Sequence, residues 1–247
     1  MPVVSDIGRP VAFQGLVLPG MKFVSAHASS LASGNIDLYT VPAGRKAICI
    51  GYTFTQNSAA TDTIYLEVKI GGAYYRLESD VSISTNSYVQ RAVTCPVLAA
   101  AQVVAVNIAT GGATSGCWVN MVEFDANSSF KSSQVVAPVS GDNTVYTCPT
   151  GYNACVISGP LLEAIAGLGF INQSGGSRSI RWHNVPSAGS AATNNIIRDT
   201  TAVSNSTVNM NNPAGATRQA SGDFWVINLS ADAASSLVFI NVMETPN

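Results

Sequence analysis

The feature that most constrains the fold of this chain is an internal repeat. Residues 38–50 and 145–157 share the pattern Tyr-Thr-x-Pro-x-Gly, followed in both by Ala and Ile in the same register. Three further pairs of segments recur in the same order: 70–73 with 174–177, 104–108 with 225–229, and 119–123 with 240–244. Segments that recur in a constant order are the signature of a duplication. The sequence therefore predicts two related domains in tandem.

Each copy has the pattern of an all-β domain. Short segments rich in Val, Ile, Tyr and Thr are separated by Gly, Ser, Asn and Pro about every 8–12 residues, which is typical of a sandwich or barrel. Residues 63–70 alternate, with the even-numbered side chains apolar, and Gly71 and Gly72 then suit a two-residue hairpin turn. We expect two tandem antiparallel β-sandwich domains, jelly-roll-like, with an extended N-terminal arm.

The domain boundaries are predicted from changes in composition. The arm is expected over residues 1–21, the first domain over 22–126, a polar loop-like linker over 127–140, and the second domain over 141–247. The arm is apolar and interrupted by Pro. It is expected either to dock on a neighbouring subunit or to add an edge strand to its own domain. Its candidate contact residues are Val11, Phe13, Leu16 and Leu18.

The second copy contains extra residues, and insertions in β-proteins lie in loops that often carry recognition. The insertion includes residues 187–195, so we expect the second copy to face outward if only one copy grips a particle. Tyr74 and Trp182 lie near the two Gly-Gly segments and are candidates for surface contact, with packing as the open alternative. Trp225 aligns with Val104 and is expected in the core.

The charge content argues against an ordinary free monomer. Only 11% of the residues are charged, compared with roughly 25% in a typical soluble domain. Buried contact surfaces are depleted in Lys and Glu, so we expect a homo-oligomer, with a neutral Ser/Thr-rich monomer as the alternative. The basic residues are scattered, so no nucleic-acid partner is predicted. No apolar run approaches a membrane span, and no signal-peptide pattern is present, so no membrane partner is expected.

The residues that usually carry chemistry are few. The two histidines, His27 and His183, lie outside any HxH or HExxH spacing, and we expect His183 in a partly exposed loop. The acidic group Asp62, Glu67, Glu78 and Asp80 is expected to form a solvated rim. Glu163 lies in an apolar run and is expected to face outward. We therefore predict no catalytic residues, no metal site and no cofactor, and a protein that is not an enzyme.

The turn in both copies carries a resemblance. Residues 39–47, with the pattern Tyr-Thr-x-Pro-x-Gly, resemble small β-sandwich structural proteins of tailed bacteriophages. The resemblance implies a virion protein assembled in the host cytoplasm, with the major capsid protein or other virion proteins as partners. The role expected from it is capsid decoration, as a cement protein. The alternative is a tail or head-fibre module that recognises the host by binding surface glycans.

Overall fold

The chain is built from strands that divide into two compact units. A computed structural model describes residues 3–6, 18–57, 60–156, 167–187, 189–191, 196–210 and 218–247. The two units meet in sequence between Ser128 and Ser129. Within the described residues every regular element is a β-strand. None of the described segments forms a helix long and apolar enough to cross a membrane.

The first unit consists of eight strands. They are β1 (Val3–Asp6), β2 (Lys22–Thr40), β3 (Arg45–Gln56), β4 (Asp62–Ile70), β5 (Ala73–Arg76), β6 (Val81–Ile83), β7 (Ser87–Arg91) and β8 (Val103–Asp125). The long strands β2 and β8 pair antiparallel along most of their length. At one end they continue through β3 to β7, and at the other end through β4 to β5 and β6. This is the strand order of a jelly roll.

The second unit repeats that order with its strands cut into shorter pieces. They are β9 (Phe130–Val136), β10 (Gly141–Thr147), β11 (Tyr152–Val156), β12 (Leu168–Asn172), β13 (Arg178–Val185), β14 (Ile196–Ala202), β15 (Ser206–Met210), β16 (Arg218–Gln219), β17 (Phe224–Leu229) and β18 (Leu237–Pro246). One sheet has the order β10-β17-β13-β14. In the other, β18 lies between β9 and the pair β11 and β12. Both units are therefore antiparallel β-sandwiches of jelly-roll order.

The two units also share irregularities, which confirms that the repeat is structural. The pairing of β2 with β8 shifts register between Asp37 and Tyr39, and the pairing of β10 with β17 shifts between Thr144 and Tyr146. These positions match in the repeat, so the same β-bulge occurs in both copies. Positive φ values recur outside glycine, at Ser30 and Ala137 and at Asn86 and Asn205. Such a conformation is uncommon for Ser and Ala, so its recurrence at Ser30 and Ala137 is specific.

The predicted linker is wrong, because most of it is a strand. β9 pairs antiparallel with β18 along its whole length, from Phe130 to Val136, and the Phe130 side chain is only 1% exposed. In the repeat β9 corresponds to the first half of β2, with Phe130 in the place of Phe23. The polar serines that suggested a loop lie in a strand that pairs with β18. The second copy of the scaffold thus begins close to Ser129, before the predicted start at residue 141.

One of the four matched segment pairs is not structurally equivalent. Gly71 and Gly72 have positive φ and connect β4 to β5, as the sequence predicts. Gly175 and Gly176 instead precede β13, and β13 is the strand that corresponds to β4, since it pairs with β17 as β4 pairs with β8. The Gly-Gly match therefore comes from composition, and residues aligned through it are misplaced.

The core positions predicted from alternation are correct. Ile64, Leu66, Val68 and Ile70 are each 7% exposed or less. Trp225 lies in the core at 1% exposure, as Val104 does in the first unit. Fully buried aromatic and aliphatic side chains contribute roughly 1.5–3 kcal/mol each to folding, so these strands stabilise each unit through burial between its sheets.

Candidate binding face on the first unit

Of the six predicted contact residues, the structure describes three, and these lie in two different environments. Leu18 is buried, at 6% exposure, and Trp182 is buried in the core of the second unit, at 1%. Tyr74 is half-buried on β5. Val11, Phe13 and Leu16 lie outside the described residues. Of the arm, β1 pairs antiparallel with β2 of its own unit, which is the edge-strand alternative.

The prediction of Trp182 as a surface contact is wrong, for a reason that lies in the repeat. Trp182 pairs with Ile227 on β17, and Leu66 pairs with Val106 on β8 at the matching position. Trp182 therefore occupies the core-facing place of Leu66. Its neighbour His183 is also buried, at 5% exposure within β13, and so is not the loop residue that we expected.

Tyr74 belongs to a polar and aromatic group on one side of β4 and β5. We call this group the Tyr74 face; it consists of Asp37, Tyr65, Glu67, Lys69, Tyr74 and Arg76. Successive side chains of a strand point to opposite sides, so the odd-numbered residues of β4 point away from the core. Register sets Lys69 opposite Tyr74, and Glu67 opposite Arg76. Direct cross-strand neighbours of this kind interact.

One end of the Tyr74 face is organised around Asp37. The Tyr74 hydroxyl donates a hydrogen bond to Asp37 Oδ1 at 2.8 Å, and Lys69 Nζ lies 3.1 Å from Asp37 Oδ2. The Lys69 ammonium also lies 4.8 Å from the centre of the Tyr74 ring, within the range of a cation–π contact. Hydrogen bonds of Lys69 with Tyr74 and with Asp37 raise the pKa of Lys69. Tyr74 is thus held in one orientation, with part of its surface open to solvent.

The other end of the face buries a carboxyl group. Glu67 is 3% exposed, and burial raises its pKa to about 7, against the opposing effect of Arg76. Its Oε2 atom is buried and makes no hydrogen bond within the part of the chain that the structure describes. The Arg76 guanidinium lies 3.5 Å from the centre of the Tyr65 ring and bonds to Asp80. Glu67 can therefore exchange a proton near neutrality.

The expected solvated rim of acidic residues is wrong for its two most buried members. Asp62 is 2% exposed and accepts hydrogen bonds from the backbone amides of Thr110 and Gly111, at 3.0 and 2.9 Å. Glu67 is enclosed as described above. Sequence spacing shows that Glu67 faces away from the core. It does not show how far neighbouring side chains enclose Glu67 on that face, so the burial was not predictable.

The Tyr74 face presents hydrogen-bonding groups of both charges beside an aromatic ring. Within the described ranges, no group of three or more His, Cys, Asp and Glu side chains is placed to hold a metal ion. His27 stacks on Trp118, with ring centres 4.2 Å apart. The thiol of Cys49 is completely buried, which raises its pKa to about 12 and disfavours the reactive thiolate.

Comparisons with known proteins give likeness of architecture without a family. No family model and no curated protein matches the sequence. Among solved structures, one from the atomic structure of Sulfolobus Turreted Icosahedral Virus is 11% identical with a TM-score of 0.27, and the alignment covers 96% of this chain and 61% of that one. The chain thus spans less than two thirds of that protein.

Two further structures have a similar degree of likeness. The STIV MCP is 7% identical over 91% of this chain and 95% of that one, with a TM-score of 0.29. The CBM22-1-CBM22-2 tandem domain of Paenibacillus barcinonensis Xyn10C is 9% identical over 100% of this chain and 91% of that one, with a TM-score of 0.27. Likeness at this level does not decide what the chain does, and function has to be argued from its own surfaces.

Proposed function

We propose that the chain is a virion structural protein that decorates a capsid, binding the major capsid protein or other virion proteins and stabilising the shell as a cement protein. The observation that carries this proposal is the combination of a charge-poor chain with exposed apolar side chains on its strands and turns. Charged residues make up 11% of the sequence. The large apolar side chains exposed in the described residues are Tyr88, Val136, Val139, Tyr152 and Val203.

The exposed apolar residues favour the second unit as the one that makes most of the contact with other subunits. Four of them, all except Tyr88, belong to it. Contact surfaces are enriched in aromatic residues and depleted in Lys and Glu. The expectation that the second copy faces outward rested on the insertion at 187–195, of which residues 188 and 192–195 lie outside the described part. The surface chemistry instead gives the second unit the larger share of the contact with other subunits.

A chain with an internal repeat is well suited to binding a capsid shell, because a shell presents the same subunit many times. Two domains of one scaffold can engage two adjacent copies of a repeated surface. Linking two weak contacts in one chain raises the overall affinity, because the second contact forms at a high effective concentration. A chain with two jelly rolls therefore does not need a large interface in either one.

The test is cosedimentation of the purified chain with particles recovered from the cells that produce it. The wild-type chain is expected to pellet with the particles, and the double variant Val136→Asp, Val139→Asp to bind at least about tenfold more weakly, since it places charge in an apolar contact. Thr201→Asp, at another exposed position of the same unit, is the matched control. A wild-type chain that stays dispersed beside intact particles would contradict the proposal.

A carbohydrate-binding role in a tail or head fibre is the second candidate, and the Tyr74 face favours it. Sugars are bound by tyrosine rings together with carboxylates and other polar groups, and Asp37 and Lys69 hold Tyr74 in place. A glycan array probed with the wild-type chain and with Tyr74→Ala tests this role. Binding lost in Tyr74→Ala but kept in Tyr88→Ala would support it, and an array without signal for the wild-type chain would exclude it.

A further inference from the structure

Three exposed apolar side chains of the second unit belong to two neighbouring segments of its surface. Val136 ends β9, Val139 lies just beyond it, and Val203 lies between β14 and β15. Their exposed fractions are 50%, 56% and 57%. We call these three residues the valine patch.

Contacts with Ser236 and Asn172 bring the two segments together at one end of the unit. The amide of Ala137, which lies between the first two valines in sequence, donates to the Ser236 carbonyl at 2.9 Å. The Ser236 hydroxyl lies 3.5 Å from Asn172 Oδ1, and Asn172 Nδ2 donates to the Val203 carbonyl at 3.0 Å. The end of β9 and the turn after β14 are therefore fixed on the same two residues.

Further hydrogen bonds hold the backbone of the patch in place. The Val139 amide donates to Asn143 Oδ1 at 3.0 Å, and the Val139 carbonyl accepts from Asn143 Nδ2 at 2.7 Å. The Val203 carbonyl also accepts from the Ser206 hydroxyl at 2.6 Å. A surface that is already ordered loses less conformational freedom when it binds a partner, so this arrangement favours binding.

The first unit has the same two segments without the valines. Residues 29–33 correspond to 136–140, and residues 82–87 correspond to 201–206. Both pairs of segments share a residue with positive φ, and in the first pair both units bury the middle residue and expose the other four. The matched positions of the three valines are also exposed and are occupied by Ser29, Ala32 and Ser84.

The fold therefore does not require valine at these positions, because the same scaffold folds with small or polar residues there. Single apolar residues scattered over a surface need no explanation, whereas grouped ones indicate an interaction site. Three grouped valines in only one of the two copies indicate a contact surface at this end of the second unit.

The area of the valine patch limits what can bind it. Complete burial of a valine removes on the order of 100 Å² of apolar surface from water, so three half-exposed valines offer roughly 150 Å². A specific, stable interface takes about 800 Å² from each partner. Two copies of the chain joined through this patch alone would not form a stable dimer, and a short segment of another protein fits the area better.

The charged groups beside the patch are of both signs. Asp232 Oδ1 accepts a hydrogen bond at 2.7 Å from the amide of Ser140, which follows Val139 in sequence. Arg178 Nε donates to the Asp232 carbonyl at 2.9 Å. Because an acidic or a basic partner would be attracted by one of these side chains and repelled by the other, the surroundings favour a partner segment without net charge.

We propose that the valine patch binds a short, uncharged and apolar segment of the shell subunit. This inference rests on the proposed decoration role, and it names the place of contact and the chemistry of the partner segment. A contact of this size is weak by itself. It becomes effective on a particle, because the shell presents the same segment many times and other contacts of the chain raise the effective concentration.

Cosedimentation with particles assembled without the chain tests the patch. The triple variant Val136→Ser, Val139→Ala, Val203→Ser takes the residues that the first unit has at the matched positions, so we expect it to keep the wild-type fold, which thermal unfolding checks. We expect it to need at least about tenfold more particles for half-maximal binding than the wild type, because it removes most of the apolar contact area.

Tyr152→Ser is the matched control. Tyr152 is another exposed apolar residue of the second unit, but it lies at the other end of β18. Tyr152 pairs with Pro246, whereas Val136 pairs with Leu237. Binding of Tyr152→Ser is expected to stay within about twofold of the wild type, as for a residue outside the contact.

The possible failures can be told apart. Wild-type chain that pellets together with an equally well bound triple variant would overturn the inference and leave the decoration role intact. Equal losses in the triple variant and in Tyr152→Ser would also overturn it, since the contact would then be spread over the unit. Wild-type chain that does not pellet would overturn both the inference and the decoration role.

Sedimentation velocity of the chain without particles distinguishes the shell segment from a second copy as the partner. Any association between wild-type copies is expected to occur equally in the triple variant. Association that the wild type shows and the triple variant lacks would mean that a second copy covers the patch, and would overturn the inference.

Discussion

At the scale of single residues, each unit contains a buried tyrosine that donates a hydrogen bond to a buried glutamate. Tyr39 donates to Glu123 Oε1, and Tyr146 donates to Glu244 Oε1 at 3.0 Å. A lysine lies beside each carboxylate, Lys22 at 3.1 Å from Glu123 Oε2 and Lys131 bonded to Glu244. Both tyrosines and both glutamates lie in matched repeat segments, so the sequence shows that they recur but not that they touch.

Removing either tyrosine hydroxyl should destabilise the unit that contains it. The change leaves a buried carboxylate oxygen without its donor, which costs about 1–3 kcal/mol. We expect Tyr39→Phe and Tyr146→Phe each to lower the free energy of unfolding by that amount in urea denaturation. Tyr88→Phe is the control, because Tyr88 is 70% exposed. Losses in Tyr39→Phe and Tyr146→Phe no larger than in Tyr88→Phe would refute the role of these hydrogen bonds.

The buried Glu67 should make the first unit less stable as the pH rises. Burial raises its pKa from 4.5 to about 7, so between these values the folded chain keeps a proton that the unfolded chain has lost. The stabilisation is complete below pH about 4.5 and is lost as the pH rises through about 7. Glu67→Gln should remove a decline on the order of 1–3 kcal/mol in the free energy of unfolding.

Urea denaturation of Glu67→Gln at several pH values between 4 and 8 measures that decline. Asp199→Asn is the comparison, because Asp199 forms an exposed ion pair with Arg181 in the other unit. The same decline in the wild-type chain and in Glu67→Gln would show that another group causes it.

At the scale of elements, a strand could be predicted from the sequence where its side chains alternate between core and surface. β4 was predictable because its alternate side chains enter the core. β9 was not, because its serines share a polar composition with loops, and only Phe130 marks its start as buried. The match between the two Gly-Gly segments was misleading, because glycine occurs in turns at several places in a β-sandwich. Because of that match, Trp182 was predicted at the surface, although it is buried.

Truncating Phe130 distinguishes a strand from a linker. Phe130 is 1% exposed, while Val136 in the same strand is 50% exposed. Phe130→Ala is expected to lower the free energy of unfolding of the second unit by about 3–5 kcal/mol, and Val136→Ala by less than about 1 kcal/mol. Thermal unfolding followed by circular dichroism measures both. Equal small effects would mean that residues 127–140 do act as a linker.

At the scale of the whole molecule, the duplication was the part of the fold that sequence predicted best. Matching prolines, glycines and tyrosines survive in both copies because turns, bulges and buried hydrogen bonds require them. The recognition surfaces were predicted poorly, because exposed positions such as Val139 and Val203 carry no pattern, and because residues 7–17 and most of the 187–195 insertion lie outside the described residues.

Each unit should fold alone if it begins at the structural start of its repeat. A chain of residues 129–247 contains β9 and every strand that pairs with it and is expected to unfold cooperatively. A chain of residues 141–247 lacks β9 and with it one neighbour of β18, and is expected to be unfolded or strongly destabilised. Heteronuclear NMR spectra of the two fragments provide the measurement. Equally dispersed spectra for the two fragments would mean that both are folded and that the second domain begins at residue 141.

The role of the chain on a particle is tested most directly by cryo-electron microscopy of intact particles from cells that produce it. A decoration protein predicts density for two jelly rolls per copy on the outside of the shell, with the second unit against neighbouring subunits. Density for the chain confined to a tail or fibre, or particles that lack it altogether, would contradict a decoration role.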